Sequence, residues 1–276
     1  MRVGFIGLGS QGGPMARAIV DGGYETTLWA RRPASLEPYA DTAAKIAGSP
    51  AELGATSDLV CLCVVGDADV EEVLDGDSGV LAGMADGGIG GGIIAIHSTV
   101  HPATCRRLAE KAAAKGVSLI DAPVSGGAPA VAEKRLLVMV GGDPEVVDRC
   151  RPVFETYANP VVRLGGLGSG QVAKLLNNLM FTANLANAKT TLELGEALGV
   201  SATSLASVLT RGSANSSALN SIATTGASLD VISQIAGALL QKDVRLVVDI
   251  ADKGGASPGA VLDAADAALV LLGHPR

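Results

Sequence analysis

The chain has 276 residues, enough for two domains of ordinary size, and 48% of them are apolar. Its formal charge is −7, and no basic stripe with interleaved aromatic residues occurs, so we expect no nucleic-acid partner. The apolar runs have the length of strands, so no transmembrane helix and no membrane partner are predicted. The first predicted strand begins at residue 2, which leaves no room for a signal or transit peptide and predicts a cytoplasmic protein.

The chain opens on a glycine-rich turn between a strand and a helix, R-V-G-F-I-G-L-G-S-Q-G-G-P-M. In the pattern G-x-G-x-x-G, Gly7 permits the tight turn, Gly9 lets the backbone approach a pyrophosphate, and Gly12 lets helix and strand pack closely. The helix start offers unpaired amides and the positive end of its dipole to the phosphates. The sequence therefore predicts a dinucleotide site, with cofactor contacts from Gly7, Leu8, Gly9, Gly12, Pro14 and Met15.

The end of the second predicted strand indicates which dinucleotide is bound. An acidic residue at this position would hydrogen-bond the ribose hydroxyls of NAD, but this chain has Ala30 followed by Arg31 and Arg32. Guanidinium groups suit a phosphate monoester, so NADP is favoured over NAD. The alternative is that both arginines only solvate a loop.

The cysteines and histidines do not indicate a metal site. Cys61 and Cys63 share one face of a strand-like apolar run, whereas Cys105 and Cys150 are scattered along the chain. We interpret all four as reduced core residues, and the three histidines have no ligand-like spacing. We therefore expect neither a disulfide nor a bound metal.

Strand-like runs alternate with helical stretches as far as Gly166, a pattern that predicts a doubly wound parallel sheet. The run Gly87–Gly92 is interpreted as a surface connection. The predicted strands are Val3–Ile6, Thr26–Trp29, Asp58–Val65, Ile93–Ile96, Ser118–Asp121, Leu136–Gly141 and Val161–Leu164.

The rest of the chain is predicted to be helical. A helix from Gln171 to about Leu198 would be roughly 40 Å long and end at Gly199, and further helices begin near Ser204, Leu229 and Pro258. The long helix is apolar on more than one side, so we expect burial against another subunit in a homodimer or homotetramer. The predicted fold is α/β, with a Rossmann-type NAD(P)-binding domain over residues 1–166. An all-α substrate and dimerisation domain would cover residues 167–276, with the long helix between the two domains.

Two polar segments follow predicted strands, at the sheet edge where doubly wound folds bind ligands. In the segment H-S-T-V-H-P, Thr99 either caps a helix or meets the nicotinamide end of the cofactor. In the segment D-A-P-V-S-G-G, Ser125 offers a hydroxyl, and Gly126 and Gly127 offer close backbone amides to a substrate carboxylate. Each segment alone is more typical of a cap or a turn.

A third segment, G-S-G-Q-V-A-K-L-L-N-N, opens the long helix. Lys174 and Asn178 are four residues apart, so they project from one helical face. A helical lysine is usually a solvated charge, but a lysine among apolar neighbours needs a partner or a task. Those neighbours are Val172, Ala173, Leu175, Leu176, Leu179 and Met180.

Taken together, these motifs resemble the β-hydroxyacid dehydrogenase family, which includes 3-hydroxyisobutyrate dehydrogenase and tartronate semialdehyde reductase. The resemblance covers nearly the whole chain, and its cofactor-binding part is of the 6-phosphogluconate dehydrogenase type. That larger enzyme carries a histidine where Asn177 stands and has a far longer helical domain, so we do not favour it. The matching motifs are, in order, Gly7–Ala16, Asp121–Gly127, Gly168–Asn178 and Gln241–Leu246.

The resemblance implies a role for individual residues. Lys174 would transfer the proton, Asn178 would hold the substrate, and Ser125 would bind the substrate's acid group. One departure is Lys134 and Arg135, which stand where the family usually has glycine and threonine. The cofactor contacts outside the glycine loop would be Arg31, Arg32, Val65, Thr99 and Lys242.

The sequence thus predicts an NADP(H)-dependent oxidoreductase that interconverts a small β-hydroxyacid and its semialdehyde or keto acid by metal-free hydride transfer. The catalytic residues would be Lys174 and Asn178, and the partner would be a small carboxylate-bearing substrate. Two alternatives stay open: imine reductase-like activity, against which Lys174 argues, and a non-catalytic dinucleotide-binding assembly module.

Overall fold

The computed structural model describes residues 1–87 and 91–276. It divides into two compact units, Met1–Lys174 and Leu175–Arg276. The glycine run predicted as a surface connection, Gly87–Gly92, has its centre at residues 88–90, which lie outside the described residues.

The first unit contains one sheet, to which the described residues contribute nine strands in the order β3-β2-β1-β4-β5-β6-β8-β7, with β9 beside β8. From β3 to β6 all neighbours are parallel, and the order 3-2-1-4-5-6 is that of a doubly wound dinucleotide-binding fold. The strands are β1 (Val3–Ile6), β2 (Thr26–Trp29), β3 (Lys45–Ile46), β4 (Leu59–Leu62), β5 (Ile93–Ile96), β6 (Ser118–Asp121), β7 (Val124–Ser125), β8 (Leu136–Gly141) and β9 (Ala158–Gly165).

The predicted doubly wound parallel sheet is present from β3 to β6, and at one edge β8 runs antiparallel to both β6 and β7. A parallel crossover needs a dozen or more residues, usually a full helix. The chain between β6 and β8 is instead used for β7 and a six-residue helix, so it turns back on itself. The predicted strand over Asp58–Val65 is also shorter than expected, since regular pairing ends at Leu62.

Helices cover both faces of this sheet and enclose two separate cores. Successive residues of β4 alternate between them: Leu59 and Cys61 join one core, and Val60 and Leu62 join the other. Because both faces are covered, the strands read as continuous apolar runs. The helices are α1 (Gly12–Asp21), a 3-10 helix (Pro33–Tyr39), α2 (Pro50–Ala55), α3 (Asp67–Leu74), α4 (Val80–Gly87), α5 (Pro102–Ala113), α6 (Gly127–Ala132) and α7 (Pro144–Phe154).

The second unit is helical. Its first helix, α8 (Ser169–Ala197), has 29 residues and starts within the first unit. Gly199 adopts φ +85°, the left-handed conformation that ends a helix, as predicted. The other helices are α9 (Ala202–Leu209), α10 (Ser217–Thr224), α11 (Asp230–Lys253) and α12 (Ala260–Leu271).

The second unit has its own core, to which α8, α10, α11 and α12 contribute Leu185, Ile222, Val244 and Leu269. Along the two described stretches of the chain, no helix combines the length and the apolarity that crossing a membrane requires. Within the same stretches, no group of three histidine, cysteine or acidic side chains is arranged to hold a metal ion.

Candidate active site

The glycine loop lies where β1 ends and α1 begins, and its three glycines face different surroundings. Gly7 adopts φ +101°, and a Cβ added there would lie 2.2 Å from the carbonyl oxygen of Cys63. A Cβ on Gly12 would lie 2.0 Å from the carbonyl oxygen of Gly7. At Gly9 no atom lies within 4 Å of the same position. The fold itself therefore requires Gly7 and Gly12, whereas Gly9 keeps backbone accessible in the way that a pyrophosphate needs.

A cavity of about 320 Å³ lies beside this loop, between the start of α1 and the 3-10 helix. Leu8, Gly9 and Pro14 line it, and the Tyr39 hydroxyl at its wall donates to the carbonyl oxygen of Gly13 at 2.7 Å. Met15, predicted as a cofactor contact, is fully buried in the core and does not line this cavity. The open backbone at Gly9 and this cavity suit the phosphates of a dinucleotide.

Arg31 and Arg32 follow β2 at the same edge of the sheet. The Arg31 guanidinium donates to Oδ1 of Asp69 at 3.2 Å and to Oε2 of Glu72 at 3.0 Å, both on α3. Arg32 is exposed and immediately precedes the 3-10 helix. The acidic partners of Arg31 were not anticipated from the sequence, because they lie 38 and 41 residues away along the chain.

Lys174 lies near the start of α8, and its side chain is half-buried. Burial raises the pKa of the Cys63 thiol to about 12, and the positive charge of Lys174 opposes that rise. Cys63 directly follows β4, and its carbonyl oxygen packs against Gly7. The ammonium group is therefore close enough to the glycine-loop edge of the sheet to act electrostatically on Cys63.

Two buried polar residues join the start of α8 to the sheet. Asp121, the last residue of β6, accepts hydrogen bonds from the backbone N–H groups of Gly168 at 2.6 Å and Gln171 at 2.7 Å. The Gln171 side chain in turn bonds the backbone of Ser98 and Val100, after β5. Both residues stand within motifs that the sequence singled out, but no spacing rule indicated these contacts.

Three more of the predicted site residues lie in or shortly after strands of the sheet: Thr99, Ser125 and Val65. Thr99 follows β5 and is half-buried, Ser125 is half-buried in the short strand β7, and Val65 is 67% exposed in the turn after β4. The glycines after Ser125 both adopt left-handed conformations, with φ +130° at Gly126 and +69° at Gly127.

Lys134 and Arg135 stand where the family usually has glycine and threonine. Lys134 adopts φ +52°, a left-handed conformation that glycine, the residue expected from the resemblance, adopts without strain. Arg135 is ion-paired with Glu133, two residues earlier, and all three side chains are exposed.

In the second unit, Asn178 on α8 is held by a residue of α11. Its Nδ2 donates to Oδ2 of Asp243 at 2.6 Å, and its Oδ1 accepts from Asn177 at 3.0 Å. Asp243 is 3% exposed, and the Lys242 ammonium lies 3.1 Å from its Oδ1. The carboxylate thus fixes which way the Asn178 amide points. The motif Q-K-D-V-R-L drew attention to Lys242, and the sequence reasoning missed the role of Asp243.

Comparison with known proteins finds matches over both units. Residues 2–166 match the family described as the NAD binding domain of 6-phosphogluconate dehydrogenase, and residues 168–269 match the NAD-binding family of NADP-dependent 3-hydroxyisobutyrate dehydrogenase. A 3-hydroxyisobutyrate dehydrogenase of Pseudomonas aeruginosa is 34% identical over 218 residues, which cover 79% of this chain and 72% of the relative.

Solved structures give the same result. The Mycobacterium tuberculosis 3-hydroxyisobutyrate dehydrogenase with L-serine has a TM-score of 0.83 at 27% identity, covering 99% of this chain and 95% of that chain. A Streptomyces aurantiacus imine reductase has a TM-score of 0.68 at 22% identity, covering 99% of this chain and 98% of that one, and shows the fold alone. The chain belongs to the β-hydroxyacid dehydrogenase family, the NAD(P)-dependent hydroxyacid dehydrogenases of the 3-hydroxyisobutyrate dehydrogenase type.

Proposed function

We propose that the protein interconverts a small β-hydroxyacid and its semialdehyde or keto acid with NADP(H), and that Lys174 is the acid and base. The observation that carries this proposal is the position of Lys174. It is a half-buried lysine at the start of α8, and its charge acts on Cys63 beside the glycine loop. A charge kept partly out of water next to a cofactor site is typical of a catalytic group.

We propose that most of the residues that hold NADP belong to the first unit. The glycine loop and the start of α1 would hold the pyrophosphate, and Arg31 and Arg32 would bind the additional phosphate. Val65, Thr99 and, by resemblance, Lys242 would complete the cofactor contacts. When bound, the nicotinamide supplies or accepts the hydride.

The proton chemistry belongs to Lys174. In the oxidative direction the substrate carbon loses a hydride and the hydroxyl loses a proton, which Lys174 accepts. In the reductive direction the Lys174 ammonium gives its proton to the carbonyl oxygen. An ordinary lysine has a pKa of about 10.4, so its protonated form predominates near neutrality. Reduction therefore makes the smaller demand on this residue.

The substrate class follows from the relatives and from the polar residues. The name of the Pseudomonas aeruginosa relative and the L-serine bound to the Mycobacterium tuberculosis enzyme both describe β-hydroxyacids. In this chain Ser125, Gly126 and Gly127 would anchor the carboxylate, and Asn178 would hold the substrate. The exposed side chains of Lys134 and Arg135 are not assigned a role in substrate binding.

The decisive experiment compares Lys174→Ala with Lys189→Ala, a control further along α8 whose ammonium is ion-paired with Glu193. Turnover of a panel of small semialdehydes is followed by loss of NADPH absorbance, and the NADPH dissociation constant is measured separately. We expect Lys174→Ala to lower kcat by about 10²–10⁴-fold with an unchanged dissociation constant. We expect Lys189→Ala to match the parent. Parental turnover in Lys174→Ala would refute the assignment.

Results on the parent protein separate the alternatives. Turnover of cyclic imines in place of aldehydes would favour an imine reductase. NADPH binding without turnover of any aldehyde, keto acid or imine would favour a binding module.

The preference for NADP is tested by Arg32→Ala, with Arg107→Ala as a control whose guanidinium pairs with Glu71 on the same unit. We expect Arg32→Ala to raise the KM for NADPH at least about tenfold and to leave the KM for NADH unchanged. An equal change for both cofactors would show that the arginine does not read the phosphate.

We also propose that the residues of 167–276 form the substrate and dimerisation domain and assemble into a homodimer or homotetramer. The second unit exposes large apolar side chains, among them Leu198 and Ile235 at 74% each. These exposed side chains support the proposal, because contiguous apolar surface favours association. Light scattering coupled to size exclusion measures the assembly, and Ile235→Lys should shift it towards the monomer.

A further inference from the structure

We infer that Asp121 and Gln171 are positioning residues, which fix the start of α8 to the sheet and thereby set where Lys174 stands. The inference rests on the proposed role of Lys174. It is carried by four hydrogen bonds, by the burial of both side chains and by the packing of glycines around the Asp121 carboxylate.

The start of α8 is capped in an unusual way. The first N–H groups of any helix lack partners within the helix, and a nearby side chain commonly satisfies them. Ser201 and Ser216 do this locally for α9 and α10. The start of α8 is instead capped by Asp121, which stands 47 residues before Gly168 and 50 residues before Gln171. Because this cap belongs to β6, it also fixes the helix in space.

The Gln171 side chain is fully buried. Its Nε2 donates to the carbonyl oxygen of Ser98 at 2.8 Å, and its Oε1 accepts from the N–H of Val100 at 3.1 Å. Both ends of the amide are therefore used on the loop after β5. Together with Asp121, this gives the first turn of α8 contacts to two neighbouring strand ends, which oppose both sliding and rotation of the helix.

Two glycines pack closely against the Asp121 carboxylate. A Cβ on Gly141 would lie 2.4 Å from Oδ1, and one on Gly170 would lie 2.8 Å from Oδ2. The Gly170 position would also lie 2.4 Å from the carbonyl oxygen of Met139 in β8. The helix start thus packs directly against the strand ends, and the carboxylate is wedged between two glycines.

The burial of the Asp121 carboxylate bears on its role. Asp121 is fully buried, and none of the ion pairs found among the described residues includes it. Burial raises the pKa of Asp121 to about 6, against the effect of the backbone N–H bonds. Burying a charge costs stability, so a geometric task explains the residue better than stability does. Lys174 lies three residues after Gln171 and so projects on the same side of the helix.

The inference is tested by a double-mutant cycle of Asp121→Asn and Lys174→Ala in the full-length protein. Asn leaves one accepting oxygen but turns an NH₂ group towards a backbone N–H. We expect Asp121→Asn alone to lower kcat by about 10–100-fold, with the KM for NADPH changed less than about threefold. In the Lys174→Ala background the same change should lower kcat less than about threefold. If the losses of kcat in the two single variants multiplied in the double variant, the inference would be overturned, because Asp121 would then not act through Lys174.

Gln171→Met removes the hydrogen bonds of the Gln171 side chain with a residue of similar size and leaves the Asp121 bonds to backbone in place. Its effect on kcat should depend on Lys174 in the same way. Asp143→Asn is the matched control, since Asp143 caps α7 through the N–H groups of Glu145 at 2.9 Å and Val146 at 3.3 Å. This control should leave kcat at the parental value. A tenfold loss of kcat in Asp143→Asn would show that any weakened cap is enough, which would overturn the inference.

Hydrogen exchange gives a readout that does not depend on turnover. In the full-length protein without cofactor, Asp121→Asn should speed exchange of peptides covering residues 166–174 at least about tenfold, and Lys174→Ala should not. Unchanged exchange in Asp121→Asn would refute the cap. Parental turnover in Lys174→Ala would instead refute the proposed function and leave the exchange result standing, so the two failures are distinguishable.

Discussion

The three glycines of the cofactor loop should respond to alanine in two different ways. At Gly7 the change meets left-handed strain of about 1–2 kcal/mol. It also places a Cβ 2.2 Å from the backbone oxygen of Cys63, and such overpacking typically costs about 1–3 kcal/mol. Gly12→Ala meets a similar overlap, 2.0 Å from the oxygen of Gly7. Gly9→Ala meets no atom within 4 Å, so its free energy of unfolding should change by less than about 0.5 kcal/mol.

For cofactor affinity we expect Gly9→Ala, the variant that changes stability least, to have a large effect. Without cofactor, Gly7→Ala and Gly12→Ala should lower the free energy of unfolding by about 2–5 and 1–3 kcal/mol in denaturant titrations. Gly9→Ala should fold like the parent but raise the NADPH dissociation constant at least about tenfold, or about 1.4 kcal/mol, because its methyl group occupies the approach to the pyrophosphate. Gly166→Ala, whose Cβ also meets no atom within 4 Å, is the control and should change neither quantity. Parental NADPH affinity in Gly9→Ala would refute the placement of the phosphates.

Two further predictions concern buried polar groups. Burial lowers the pKa of His97 to about 4, although its Nδ1–H bond to the carbonyl oxygen of Ala122 opposes this shift. The unfolded chain therefore binds a proton before the native protein does, and stability present above about pH 6.5 is lost towards pH 4, by about 3 kcal/mol. The stability difference between the parent and His97→Gln should shrink by that amount over this range in denaturant titrations, and a constant difference would contradict the reasoning. Asp243→Ala should lower kcat/KM for the hydroxyacid by about 10–100-fold, because Asn178 loses its buried acceptor. Parental kcat/KM would show that the Asn178 amide needs no such support.

The regular elements of the sheet were readable from the sequence because burial on both faces leaves a continuous apolar run. β1, β2 and β5 have the predicted limits, Val3–Ile6, Thr26–Trp29 and Ile93–Ile96. Lys45–Ile46 and Val124–Ser125 escaped prediction, since a strand of two residues has no periodicity. The eight-residue helix α10 was also missed.

The candidate site was readable only where its chemistry is local. The glycine pattern is local, because turn, approach and packing are decided within six residues. Asp121 meets Gln171 at a separation of 50 residues, and Asn178 meets Asp243 at a separation of 65. Such contacts depend on which strand ends and helices become neighbours in the fold. The spacing of residues along this chain does not indicate which elements those are. The motifs therefore indicated where the polar residues lie in the sequence and left open which groups they bond.

The ion pairs of Arg31 bear on the proposed choice of cofactor, because two carboxylates compete with a phosphate for the same guanidinium. The Arg31 side chain is 58% exposed, and the side chains of Asp69 and Glu72 are 29% and 65% exposed. Ion pairs open to solvent contribute only about 0–1 kcal/mol. Hydrogen bonds to a charged group contribute about 1.5–3 kcal/mol, and a phosphate offers the guanidinium several oxygens at once. The phosphate should therefore displace the acidic partners, and Arg31 stays available to NADP. Asp69 and Glu72 then hold the guanidinium in place when no phosphate is bound, and we expect them to weaken the proposed preference for NADP without reversing it.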